Sequence, residues 1–203
     1  GDRRRRDSQR AVSYLEKKLK EIREHIEKLE EEEREAQIAG EAPQELMTFM
    51  KRELLERELW VLAGQQLEHL LFIDLDRGIK SFADMFDEAT TRYRFSFREV
   101  LIDKVQHYYE SLTPPQRYEV DSRRVKQWLD GGEYQKAKTL AQDILGRGGL
   151  LPGQKTDMLI QLGNIEIRLG NLSAGVGSFE QAVHVSSQAG LREWLLPATI
   201  ALG

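Results

Sequence analysis

The chain has 203 residues, enough to bury a sizeable core in one large or two small domains. Its 30 Lys and Arg against 34 Asp and Glu give a net charge of −4, so the chain as a whole is not built to bind nucleic acid. The absence of cysteine excludes disulfides, zinc ribbons and thiol catalysis and fits a reducing cytoplasm, the expected location.

The N-terminus, GDRRRRDSQR, has no apolar region behind it and does not read as a signal peptide. Arginines opening a helix oppose its dipole, so residue 1 is expected to be a cut end. Arg3–Arg6 are the only hint of a nucleic-acid or acidic partner, and a solvated end is the simpler account of them. A helix is predicted from Asp7 to about Ala39. Along it Val12, Leu15, Leu19, Ile22, Ile26 and Leu29 are separated by 3, 4, 3, 4 and 3 residues, the a/d seam of a coiled coil. Gly40 suits a left-handed helix end and Pro43 the first turn of a second helix, predicted to run to about Phe72. Leu46, Met47, Met50, Leu54, Leu55, Leu59, Val61 and Leu62 are its apolar positions. So short a connection favours an antiparallel, coiled-coil-like hairpin over residues 1–73, closed within the chain or paired with another copy. The Gly40–Pro43 loop should be exposed, open to a partner or a protease.

Residues 74–112 read as a helical connector pair. Asp74 or Asp76 is the candidate N-cap of the first, with Ile79, Phe82, Ala83 and Phe86 on one face. The second carries Phe97, Val100, Leu101, Val105 and Tyr108. These faces are most simply core; a ligand groove lined by Tyr93, Phe95 and Phe97 is the alternative.

Residues 113–203 read as a repeat. Thr113-Pro114-Pro115-Gln116 is a helix start of the capping-box kind, and Gly131-Gly132 separates that helix from its partner. A second pair follows the loop GRGGLLPG. A shift of 38 residues lays Gly132 on Gly170, Tyr134 on Leu172, Ala137 on Gly175, Ala141 on Phe179 and Ile144 on Ala182. Repeats of this length imply stacked helical hairpins. Ala201-Leu202-Gly203 repeats Gln161-Leu162-Gly163 after 40 residues, as though a third repeat were starting and the chain were part of a longer one.

Chemistry is sparse. The stretch GNLSAGVGS, Gly170 to Ser178, is rich in glycine, but Val176-Gly177 follow Gly175 where a phosphate-binding loop needs Lys and Ser/Thr. A tight turn at Gly170 and close helix contacts at Gly175 and Gly177 explain the glycines better. His25, His69, His107 and His184 are dispersed, with no metal-ligand spacing. No nucleophile motif or carboxylate pair stands out, so no enzyme activity, cofactor or metal is expected.

The second helix pair resembles the tetratricopeptide repeat. Leu162-Gly163 match the Leu-Gly of that family's first helix, Gly170 its turn, Phe179 the aromatic of its second helix and Ala182 the small residue one turn later. The match departs at Leu159, Glu166 and Ser187, where the family has Trp, Tyr and Pro, and the first pair matches only in its second half. The resemblance implies an all-α fold in which a long helical hairpin precedes a superhelix that binds a protein or peptide partner. The candidate contacts it points to are Arg124, Gln127, Asn164 and Arg168. Phrases such as RYRFSFRE and QRYEVDSRRVKQWLDGGEYQKA are also similar to the region after the ATPase core in the signal transduction ATPases with numerous domains. That implies a module of a larger bacterial signalling or regulatory protein lacking its ATPase. The alternatives are a structural homodimer through the hairpin seam, and a regulatory module of a prokaryotic defence system engaged or cut near Gly40–Pro43.

Overall fold

In the computed structural model, which describes residues 2–40 and 42–191, every regular element among the described residues is helical. The expected start of a third repeat at Ala201-Leu202-Gly203 lies outside the described residues. The chain divides into two compact units, Gly1–Glu110 and Ser111–Gly203.

The first unit holds α1 (Asp2–Ala39), α2 (Ala42–Ile73), α3 (Leu75–Thr91) and α4 (Phe95–Gln106). The first two run antiparallel: Arg5 of α1 meets Ile73 at the end of α2, Ser8 meets His69, and Glu33 meets Arg52. All six seam residues of α1, Val12 to Leu29, are buried within this unit. Gly40 ends α1 with φ +74°, and the neighbouring Ala42 and Pro43 are exposed.

Helix α1 begins five residues before the sequence reading placed it, and the arginines supply the reason. Arg5 Nη2 donates to the Ile73 carbonyl at 3.0 Å, and the Arg4 guanidinium lies 4.7 Å above the Phe72 ring. Cations that oppose the dipole of their own helix thus sit at the negative end of the antiparallel neighbour, where they are favoured. These two arginines are occupied inside the unit.

Helix α2 spans the predicted residues, and its apolar positions divide between a covered and an exposed face. Of the eight apolar residues expected along it only Leu59 is buried, and Leu46, Met47, Met50, Leu54 and Val61 are exposed. The covered face is instead formed by Thr48, Glu56, Leu59, Trp60, Ala63, Leu67, Leu70 and Leu71. The apolar pattern of α2 has two faces, and α1, α3 and α4 cover just one of them.

Two polar features hold this unit together. Asp74 caps α3 by accepting from the Arg77 backbone N–H at 3.1 Å. Around Glu56, which is 2% exposed, arginines and carboxylates from three helices interlock. Arg52 bridges Glu33 of α1 (2.9 Å) and Glu56 (2.8 Å), Arg92 reaches Glu30 (3.1 Å), and Arg23 reaches Glu88 of α3 (2.7 Å). Arg94 binds both Glu56 and Glu53, and its hydrogen bond to Glu53 holds that carboxyl below the usual carboxylate range. Fully buried Arg98 lies between the rings of Phe95 and Phe86 and donates to Thr90 Oγ1 at 3.2 Å.

The second unit holds α5 (Pro114–Asp130), α6 (Tyr134–Gly146), α7 (Pro152–Arg168) and α8 (Leu172–Gln188). A 38-residue shift carries both ends of α5 onto those of α7, and the start of α6 onto that of α8. The helix signals repeat with them. Pro114 and Pro152 occupy the first turns, and the backbone N–H groups of Thr113 and Leu151 donate to the side chains of Gln116 and Gln154 at 2.9 and 3.0 Å. Leu151 has no side-chain oxygen to return the bond, so the second start is half a capping box.

The helix ends repeat as well. Gly132 donates to Leu129 O and Glu133 to Trp128 O; 38 residues on, Gly170 donates to Ile167 O and Asn171 to Glu166 O. This crossed pair of bonds is the Schellman end, and its left-handed residue is Gly132 (φ +79°) or Gly170 (φ +82°). The glycine-rich stretch that superficially resembled a phosphate loop begins at this turn.

Packing across each pair uses a size exchange. A Cβ on Gly163 of α7 would lie 2.6 Å from Cδ1 of Phe179 on α8, so the ring needs a glycine beneath it. The equivalent pair one repeat earlier is Val125 and Ala141, both fully buried. A Cβ on Gly175 would meet Ile167 Cγ1 at 2.8 Å, a close helix approach as the sequence indicated. Gly177 differs from that reading: a Cβ there meets nothing within 4 Å.

Candidate partner-binding face

The first helices of the two pairs, α5 and α7, meet through polar groups. The Tyr118 hydroxyl of α5 lies 2.9 Å from Asp157 Oδ2 and 3.0 Å from the Gln154 carbonyl of α7, both acceptors for its single proton. Gln161 Nε2 donates to the same Asp157 oxygen at 2.9 Å. Burial raises the Asp157 pKa, outweighing the hydrogen bonds from Tyr118 and Gln161 and the charges of Lys126 and Arg123. Burial also pushes the Tyr118 hydroxyl far above its ordinary value, with the Asp157 charge adding to the effect.

Asp157, Gln161, Asn164 and Arg168 follow one another at steps of 4, 3 and 4 residues, so they share a stripe along α7. Asn164 and Arg168 are exposed on it. Arg124 and Gln127 are half-buried on α5, where the 38-residue shift sets them on Leu162 and buried Ile165. Asn164 and Arg168 correspond instead to Lys126 and Asp130, which are exposed. The four candidates are therefore not one equivalent set. Lys126 and Asp157 are the members that sequence reasoning missed, and the repeat register applied to the first helices identifies Lys126.

Two buried carboxylates of this unit carry ion pairs. Glu166 takes Lys138 Nζ of α6 at 2.8 Å and Asn171 Nδ2 at 2.8 Å. Burial pushes this carboxyl upward, but those two donors outweigh it and hold it below its ordinary range. Buried Asp121 of α5 accepts from Arg147, at the end of α6, at 2.6 Å. Lys138 thereby ties the first pair to the second, and Arg147 ties the two helices of the first pair.

Phe97 packs on Trp60 (4.8 Å between ring centres), while Phe95 covers Arg98 and meets the Tyr93 ring edge-on at 6.2 Å. A cleft of about 570 Å³ in the first unit is lined by Arg4, Ser8, His69, Phe72, Lys104 and His107, among others. Its polar groups bond one another: Lys104 with Glu68, His69 Nδ1 with Ser8 Oγ, and His107 Nδ1 with the Asp103 carbonyl. Among the described residues no group of three His, Asp or Glu side chains has metal-binding geometry. No helix among them is long and apolar enough to cross a membrane.

No family model, curated protein or solved structure matches this chain. The α5–α7 face must therefore be read from its own geometry.

Proposed function

We propose that the chain is a non-catalytic interaction scaffold, in which α5–α8 form tetratricopeptide-like repeats and the stripe on α7 binds a protein or peptide partner. In this reading the α1–α2 pair is a hairpin that sets contacts between domains, within a larger bacterial signalling or regulatory protein in the cytoplasm. The observation that carries it is the 38-residue register of helix starts, helix ends and turn bonds between the two pairs. Such register stacks equivalent first helices side by side and lines up their outward side chains as a recognition surface. The exposed Asn164 and Arg168, with Lys126 across from Asp157, offer donors suited to backbone carbonyls and acidic side chains of an extended or helical peptide.

The test is selection of binders from a displayed random-peptide library on the full chain. Asn164→Ala with Arg168→Ala should weaken the selected peptides about tenfold or more, the loss expected at an interface hot spot. Helicity and melting should stay unchanged. Peptides that bind the double variant equally well would remove this face from consideration.

A further inference from the structure

The face of α2 left uncovered in the first unit is ordered. Leu46, Met47, Met50, Leu54 and Val61 are between 48% and 66% exposed. Met47, Met50, Leu54, Arg57 and Val61 recur at steps of 3, 4, 3 and 4, a heptad stripe on the side opposite the buried Thr48, Glu56 and Leu59. From Met47 to Val61 it is about 21 Å long at roughly 1.5 Å per residue. A stripe of exposed apolar side chains interrupted by a single arginine marks an interface in water.

Charge on its flanks decides the occupant. Lys51 and Glu58 stand on the same edge of the stripe, seven residues apart, and neither forms an ion pair with another described residue. Two copies paired parallel and in register would set Arg57 against Arg57, a repulsive contact at the centre of the stripe. Antiparallel pairing staggers the two Arg57 side chains by about 5 Å along the helices. It stacks Met50 on Val61 of the second copy and Leu54 on the aliphatic stem of its Arg57. It also brings Lys51 beside Glu58 of the second copy, twice by symmetry.

We propose that the chain forms a homodimer through this outer face of α2, antiparallel about a two-fold axis between Leu54 and Arg57. The α1 seam, already buried inside the unit, has no part in it. This surface is separate from the α7 stripe, and either assignment can fail without the other.

Sedimentation of the full chain across a concentration series should show a monomer–dimer equilibrium. Leu54→Glu should raise the dissociation constant at least tenfold with helicity intact, because the native side chain is 66% exposed in the folded unit. Lys51→Glu should weaken the dimer, and Lys51→Glu combined with Glu58→Lys should restore it. The cysteine-free chain also permits a direct test of direction. Leu54→Cys should cross-link to itself through a short bismaleimide, the two copies being offset by about 5 Å along the helices at 1.5 Å per residue. Met47→Cys should not, at an offset of roughly 25 Å by the same rise. A monomer at every concentration, no rescue by the charge exchange, or efficient linking at position 47 would each overturn the proposal. Peptides selected on the second unit should bind Leu54→Glu unchanged, which keeps the two readings apart.

Discussion

At the scale of single residues, Asp157 is the most exposed to test. Burial lifts its folded pKa above the unfolded value of about 3.9, so ionising it works against the fold. The native state binds more protons than the unfolded one between those two values. Stability therefore falls as pH rises through the folded pKa, and the cost is fully present above it. Asp157→Asn keeps an oxygen for the Tyr118 hydroxyl and removes the charge. At pH 7 it should raise the melting temperature by a few degrees, the shift that about 1 kcal/mol produces in a domain of this size. The gain should fade as the buffer is taken down through the folded pKa, and be gone below about pH 4. A pH-independent difference in melting would show that the charge at position 157 is not what the substitution changes. Glu166 has the opposite sign, since Lys138 and Asn171 depress its pKa. Its contribution is present above the unfolded value near 4.3 and is lost as pH falls through the folded one.

At the scale of elements, the packing of α7 on α8 rests on a large ring over an absent side chain, and that of α5 on α6 on two residues of middling size. Gly163→Val overfills the first arrangement and should cost about 1–3 kcal/mol or more, as overpacking does. Adding Phe179→Ala recreates the Val–Ala pair of the preceding repeat, and urea unfolding of the double variant should recover most of that loss. Strictly additive losses would mean that the two repeats do not share a packing scheme. This register was legible in the sequence because Pro, Gln and Gly act through the backbone of the residues beside them. The span of α2 was legible, but which of its apolar residues are buried was not, for a different reason. Leu54 and Leu59 are equally apolar, and periodicity alone does not say which of two apolar faces a neighbour covers. The charges around Glu56 were invisible for a related reason. Arg52, Arg92 and Arg94 gain their partners only when three helices bring Glu30, Glu33 and Glu53 beside them. The α7 stripe was half legible: Asn164 and Arg168 came from the repeat pattern, whereas Asp157 needed Tyr118 of another helix to give it meaning.

At the scale of the whole molecule, the chain divides at Glu110–Ser111, with the hairpin and the connector helices in one unit. Each unit has its own core, with Leu67, Phe82, Phe86 and Leu101 in the first and Val125, Ala141, Ile144 and Ile165 in the second. Residues 1–110 alone should therefore give a helical spectrum and a cooperative melt. A gradual loss of ellipticity on heating would show that this part needs the rest of the chain to hold its shape. The second unit has a further property. Each of its helix pairs carries its own opening signal in Pro and Gln and its own turn bonds at a left-handed glycine between its two helices. A stretch of DNA encoding 38 such residues is thus a self-punctuated unit of inheritance. Duplicating it would add another helix pair with its start and its turn intact, while the side chains between them stay free to differ, as Gly163–Phe179 and Val125–Ala141 do.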